Sequence, residues 1–357
     1  MPTKIVFGNY AFNNINNYIN GRKTLLITSI GFVERGLVDK TKSLTGSIIA
    51  VISEVKSHPE FQDLKIMYNK IKEMDFEVIL AIGGGSVLDA AKFLSVYNSK
   101  KEYQFVEDIT KGNIYKNNYN LTPIVSVPTT SGTGSEITPW ASIWDLDEKK
   151  KYSLHLSDLF SEVAIYDPTL TLSVPKEITI QTGLDTLSHA LESIWNKNAS
   201  NITLGFAIKA AKLILEYLVL VSNNLDNLKY RYNIMKSSMY AGLAFSNTQT
   251  AIAHAISYYI TVNKGVDHGI ACSFTLPMLI DNIIGKYGFI DDALFKIFGE
   301  LSSQKLRNIF QELNIPIEFE DYSVCKNEFE EIKLSLQYNE RAANSIISPE
   351  LLKWVIK

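Results

Sequence analysis

The stretch "FEVILAIGGGSVLDAAK", Phe76 to Lys92, sets the fold class. Val78 to Ile82 is a short, wholly apolar run, the length of a strand rather than of a helix. Gly83, Gly84, Gly85 and Ser86 interrupt it, and from Val87 the apolar residues return at helical spacing. A buried strand that passes through a glycine turn into a helix is the first half of a βαβ unit. The rhythm continues on either side. "TLLITS" (Thr24 to Ser29), "SIIAVIS" (Ser47 to Ser53), "PIVSVPTT" (Pro123 to Thr130) and "VAIYDPTL" (Val163 to Leu170) are further strand candidates. Helical patterns such as "EFQDLKIMYNKIKEM" fall between several of them. That alternation predicts a parallel sheet covered by helices on both faces.

Beyond about Pro175 the strand signal fades. "PKEITIQTGLDTLSHALESIWN", "NITLGFAIKAAKLILEYLVLV" and "RYNIMKSSMYAGLAFSNTQTAIAHAISYYI" are helical in period. The expected organisation is an α/β domain over residues 1–172 and an all-helical domain over residues 173–357. The most apolar of these helices carries Lys209, Lys212 and Glu216, which suits a buried helix rather than a membrane span. A net charge of -3 offers no attraction for nucleic acid or an anionic membrane surface. The opening "MPTKIVFGNYAFNN" has no apolar signal-peptide core, and two cysteines make no disulfide framework, so a cytoplasmic setting is expected.

The glycine turn after Ile82 lets backbone approach a ligand, and the N–H groups opening the next helix suit an anion such as pyrophosphate. Its spacing is not the usual G-x-G-x-x-G, and tight packing alone would also explain it. A second turn, "VPTTSGTGSEITPW", again follows a strand and offers the hydroxyls of Thr129, Thr130, Ser131, Thr133 and Ser135. Ligands of open parallel sheets collect beyond the carboxyl ends of strands, so two such turns together favour a dinucleotide. The place where an acidic residue would hold the ribose of NAD is occupied by Ser29. The choice between NAD and NADP therefore stays open.

The helical half holds a different chemistry. In "GLDTLSHALES" (Gly183 to Ser193), Asp185 and His189 are four residues apart and share a helix face. A buried ion pair would produce the same spacing. His254 in "TAIAHAISYYI" and His268 in "KGVDHGIACSFTLP" sit beside small residues in the same half. Three imidazoles and a carboxylate make a suitable shell for a divalent first-row metal such as iron or zinc. Neither Cys272 nor Cys325 belongs to a paired motif, so sulfur ligation is not expected. His58 and His155 have no comparable context; His58, before Pro59, is placed in a loop.

Taken together, "GGGSVLDAAK", "PTTSGTGSE", "GLDTLSHALES", "AIAHAIS" and "HGIACSFTLP" resemble the iron-containing (group III) alcohol dehydrogenase family, in the family's order. "KIVFGNYAF" is similar to its opening hairpin. The resemblance implies the dehydroquinate synthase-like architecture and one divalent metal, Fe(II) before Zn(II), held by Asp185, His189, His254 and His268. It implies that Gly84, Gly85 and Ser86 hold the pyrophosphate of NAD or NADP. Thr129, Thr130, Thr133 and Thr138 would line the cofactor site, and Lys151 would lie near the cofactor phosphates. Tyr258 stands where many members carry a further histidine, one turn after His254. There it could bond the substrate or pass a proton, or be a tethered structural tyrosine. A homodimer is common in that family.

"EITPWASIWD", "GLDTLSHALESIWN" and "HAISYY" look like a branch associated with phosphonoacetaldehyde and 2-hydroxyethylphosphonate. The expected activity is reversible hydride transfer between a nicotinamide cofactor and a small polar aldehyde or its alcohol. A metal- and NAD-dependent lyase of the dehydroquinate synthase type is the first alternative, and would need a different ligand set. A non-catalytic nucleotide- and metal-binding sensor is the second.

Overall fold

The computed structural model describes residues 2–57, 59–97, 121–145 and 150–352, which leaves His58 outside the described residues. The chain forms two compact units, residues 1–130 with 135–171, and residues 131–134 with 172–357.

The first unit contains β1 (Lys4–Phe7), β2 (Thr24–Ile27), β3 (Ile48–Ile52), β4 (Val78–Gly83), β5 (Ile124–Pro128), β6 (Trp140–Asp145), β7 (Lys150–His155) and β8 (Val163–Tyr166). Six of them make one parallel sheet in the order β1-β8-β5-β4-β2-β3. Its helices include α1 (Leu37–Thr45), α2 (Phe61–Ile71) and α3 (Gly85–Tyr97). The alternation along β4 shows why a continuous apolar run was required. Ile79 and Ala81 pack with Leu25, Ile27, Leu64 and Leu88 in one core, while Val78, Leu80 and Ile82 pack with Leu26, Val125 and Ile165 in the other. Each such aliphatic side chain, fully buried, contributes about 1.5–3 kcal/mol, and β4 gathers that from both faces.

The chain leaves β2 toward the edge strand β3 and leaves β4 in the opposite direction, toward β5. The carboxyl ends of neighbours β2 and β4 therefore flank the point where the winding reverses, the usual ligand position of such sheets. Thr28, just past β2, donates its hydroxyl to the Ile82 carbonyl at 2.7 Å and ties these ends together.

Two details differ from the sequence expectation. The segment "KIVFGNYAF" is not a hairpin. Lys4 to Phe7 runs parallel to Val163–Tyr166 at the sheet edge. The chain then turns into a short 3-10 helix, because the Asp167 carboxylate accepts the backbone N–H groups of Tyr10 and Phe12 at 3.0 and 3.1 Å. The antiparallel hairpin of this unit is instead β6 with β7.

The second unit is helical around a single core. Its site-bearing elements are α4 (Lys176–Glu192), α5 (Asn201–Asn223), α6 (Leu228–Thr248), α7 (Ile252–Lys264) and α8 (His268–Ala271). Ser200 caps α5 through a reciprocal capping box with Thr203, satisfying N–H groups that the helix itself cannot. Among the described residues, no helix is long and apolar enough to cross a membrane.

Candidate functional site

Asp185, Ser188, His189 and Glu192 lie at i, i+3, i+4 and i+7 of α4, on one buried face. The Asp185 carboxylate is the centre of the cluster. Its Oδ1 is 3.3 Å from Nε2 of His254, 3.7 Å from Nε2 of His189 and 4.0 Å from Nε2 of His268. The three imidazoles come from α4, α7 and the first residue of α8. His189 is stacked between Phe245 and His254, with ring centroids 3.9 and 4.6 Å away. His268 reaches the cluster because Gly269 lies hard against α4. A Cβ there would collide with the Gln181 carbonyl oxygen, so any larger residue would push α8 away.

The electrostatics follow from burial and proximity. Burial alone would raise the Asp185 carboxyl, but His189, His254 and His268 outweigh it and hold the carboxyl far below the ordinary range. Burial, reinforced by His254, lowers His189 to about 4 against the pull of Asp185. His189 is therefore neutral near pH 7, the form in which an imidazole binds a metal. His254 moves upward despite its burial, because Glu192 faces its other nitrogen.

Glu192 was not singled out from the sequence. It is fully buried and takes Nδ1 of His254 at 2.6 Å, with the backbone N–H groups of Ala251, Ala253 and His254 around its two oxygens. It fixes the tautomer in which Nε2 of His254 faces Asp185, the arrangement that carboxylates impose on metal-binding histidines. The signal was present in "GLDTLSHALES", since position 192 falls on the face of 185 and 189.

The donor set fits a divalent ion. Metal bonds to N and O of about 2.0–2.2 Å place two donors on one ion roughly 3 to 4 Å apart. The three separations around Asp185 Oδ1 lie in that range. Unexpectedly, Cys272 is also there, with Sγ 3.5 Å from the same oxygen. Sulfur ligation was not expected from the sequence; Cys272 comes beside the cluster because it caps the C-terminus of α8, one turn beyond His268. Tyr258 is one turn beyond His254 on α7, and 37% of it is exposed.

The two glycine-rich turns leave neighbouring strands of the first unit, and the second runs on into residues 131–134, which belong to the helical unit. Gly83 pairs with Pro128, and the Thr129 N–H donates to the Gly83 carbonyl at 2.9 Å. A Cβ on Gly84 would come within 3.3 Å of the Thr130 hydroxyl, so glycine keeps the space between the turns open. Gly85 and Ser86 begin α3, and the N–H groups of Val87 and Leu88 in its first turn donate to the Gly84 carbonyl at 3.0 and 3.2 Å. Thr138 is wholly buried, and Lys151 is half-buried with its ammonium over the Trp144 ring at 5.0 Å. Thr133 lies in the short segment 131–134 that packs with the helical unit. Beneath the turns, Lys92 of α3 is fully buried. Its Nζ donates to the carbonyls of Thr138 and Trp140 at 2.7 and 2.8 Å and to Ser135 Oγ at 3.1 Å. Asp89, on the same helix, accepts Ser135 Oγ at 2.6 Å and the Ser142 N–H at 3.0 Å. This pair, unread in the sequence, fastens the segment after the second turn to α3.

The description "Iron-containing alcohol dehydrogenase" matches residues 2–168, and "Fe-containing alcohol dehydrogenase family, C-terminal" matches residues 179–345. The chain belongs to the iron-containing alcohol dehydrogenase family. A 1-propanol dehydrogenase of Salmonella typhimurium is 34% identical over 78% of this chain and 72% of its own length. The sulfoacetaldehyde reductase of Bifidobacterium kashiwanohense, solved in complex with NAD+, superposes with a TM-score of 0.89 at 25% identity, covering 98% of this chain and 95% of that one. An aldehyde-alcohol dehydrogenase of Streptococcus pneumoniae is 30% identical over 78% of this chain, and the match spans only 33% of that longer protein.

Proposed function

We propose that this protein is a metal-dependent NAD(P)(H) oxidoreductase that interconverts a small polar aldehyde and its primary alcohol. The observation that carries the reading is the convergence of three histidine Nε2 atoms on one oxygen of Asp185. Asp185, His189, His254 and His268 would hold one divalent ion, Fe(II) or Zn(II). Such an ion supplies Lewis-acid polarisation of a carbonyl oxygen. Residues 1–172 act as the dinucleotide-binding domain and residues 173–357 as the metal-binding domain. Gly84, Gly85 and Ser86 receive the cofactor pyrophosphate on backbone N–H groups. Thr129, Thr130 and Thr133 offer hydroxyls to the cofactor and Lys151 adds positive charge; Thr138, expected to line the same site, is wholly buried with Lys92 on its carbonyl and hydroxyl and supports the turn instead. Glu192 holds the proton of His254 on Nδ1, leaving Nε2 free to bind. The Tyr258 hydroxyl is the group assigned to bond the substrate or pass it a proton.

The substrate pair favoured by the sequence is phosphonoacetaldehyde and 2-hydroxyethylphosphonate. Support comes from the branch-like segments around Trp140, Trp195 and Tyr258, and from a relative whose named substrate is another two-carbon aldehyde with an anionic tail. The test is NADH and NADPH oxidation by metal-free, iron-loaded and zinc-loaded protein against phosphonoacetaldehyde, sulfoacetaldehyde and propanal. Metal-dependent oxidation with phosphonoacetaldehyde fastest is expected. A preference for propanal overturns the anionic substrate, and no oxidation with any metal overturns the reductase.

A further inference from the structure

We infer that Cys272 is a metal donor, so that this chain's centre has a mixed nitrogen, oxygen and sulfur shell. The inference rests on the metal reading above and adds to it a ligand from this chain's own sequence. Cys272 is fully buried, and its Sγ is 3.5 Å from Asp185 Oδ1. Donor atoms of Asp185, His254, His268 and Cys272 all lie within 4.8 Å of one another. With a metal–sulfur bond of about 2.3 Å and a metal–oxygen bond of about 2.1 Å, two donors at the tetrahedral angle lie roughly 3.5 Å apart. The observed separation, at which the thiol donates to the carboxylate, is also one that two donors on one ion can take.

The thiol is also held in place. Ser188 Oγ donates to the Cys272 carbonyl at 2.6 Å, and the Cys272 N–H donates to the His268 carbonyl at 2.9 Å. Cys272 follows His268 by one turn, as His189 follows Asp185, so two short helical pairs face each other across the same point. A cysteine that merely filled a core would be surrounded by apolar atoms. This one has two polar neighbours at 3.5 Å, the Gly269 carbonyl and the carboxylate that three imidazoles share.

On binding, the S–H bond breaks, the proton leaves to solvent, and a sulfur–metal bond forms without change of oxidation state. A thiolate is a soft ligand and shifts preference toward zinc and cobalt over hard oxygen-seeking ions.

Cobalt distinguishes the possibilities. Metal-free full-length protein is titrated with Co(II), and visible d–d bands report occupancy while a near-ultraviolet thiolate-to-cobalt charge-transfer band reports sulfur. The wild type is expected to show both. Cys272→Ser should keep the visible bands, lose the near-ultraviolet band and bind Zn(II) at least about 10-fold more weakly, the lower bound for disturbing a metal's surroundings. Cys325→Ser, at an exposed position, should match the wild type. Cys272→Ala provides the same comparison if the serine variant fails to fold, and the wild-type spectrum decides by itself if both fail. Visible bands without charge transfer in the wild type overturn the sulfur ligand and leave the metal reading intact. The same holds if charge transfer persists in Cys272→Ser. Failure to bind cobalt at all overturns both.

Discussion

At the scale of single residues, Glu192 is the side chain on which the geometry of the cluster turns. Its carboxylate is ionised although buried, because the His254 ring and three backbone N–H groups outweigh the cost of desolvation. An amide at this position could present an NH2 group where only acceptors are wanted, and would loosen the tautomer of His254. Glu192→Gln is expected to weaken metal affinity by roughly 10- to 100-fold while leaving nicotinamide binding unchanged. Competition with a metal chelator, read beside cofactor fluorescence, checks this. Unchanged metal affinity would make Glu192 a structural residue only. Its place was readable from helical spacing, but its partners were not. They lie more than fifty residues away on α7, and no local pattern announces a carboxylate's acceptors.

At the scale of elements, α3 is secured to the hairpin side of its unit through Lys92. Burial lowers its ammonium from 10.5 to about 8, against the opposing pull of Asp89 and Glu136. Lys92→Met would leave the carbonyls of Thr138 and Trp140 without their donor and Asp89 without its counter-charge. Each buried acceptor left without its donor costs about 1–3 kcal/mol. The pH dependence follows from linkage. Between pH 8 and 10.5 the unfolded chain holds the lysine proton and the folded chain does not, so the lysine's contribution rises with pH. The stability gap between wild type and Lys92→Met should therefore widen from pH 8 to 10.5. Denaturant melts at several pH values test it, and a gap independent of pH would contradict the assignment. The strands of the sheet were legible because Val78 to Ile82 must be apolar on both faces. The pairing of Lys4–Phe7 with Val163–Tyr166 was not, since it joins segments about 160 residues apart in sequence. The β6–β7 hairpin was likewise hidden. Its first strand begins within the Ser/Thr-rich run that reads as a loop, and "DEKKKYSLH" has the charge of a surface turn.

At the scale of the whole molecule, the chain forms two compact units, with the parallel sheet and its first glycine turn in one and the histidine-carboxylate cluster in the other. The cluster was legible because D-x-x-x-H is a helical spacing and two more histidines lie in the same half. Cys272 was passed over because a lone cysteine has no motif, and only the fold of α8 brings it to Asp185. The central claim is that these side chains hold the ion on which turnover depends. Its most direct test is elemental analysis of purified wild type and His254→Ala, paired with aldehyde-dependent NAD(P)H oxidation and cofactor binding on the same samples. The account predicts a single bound iron or zinc ion per wild-type chain. In the variant it predicts loss of that ion and of turnover, with cofactor binding retained. A variant that keeps both its metal and its activity would contradict it.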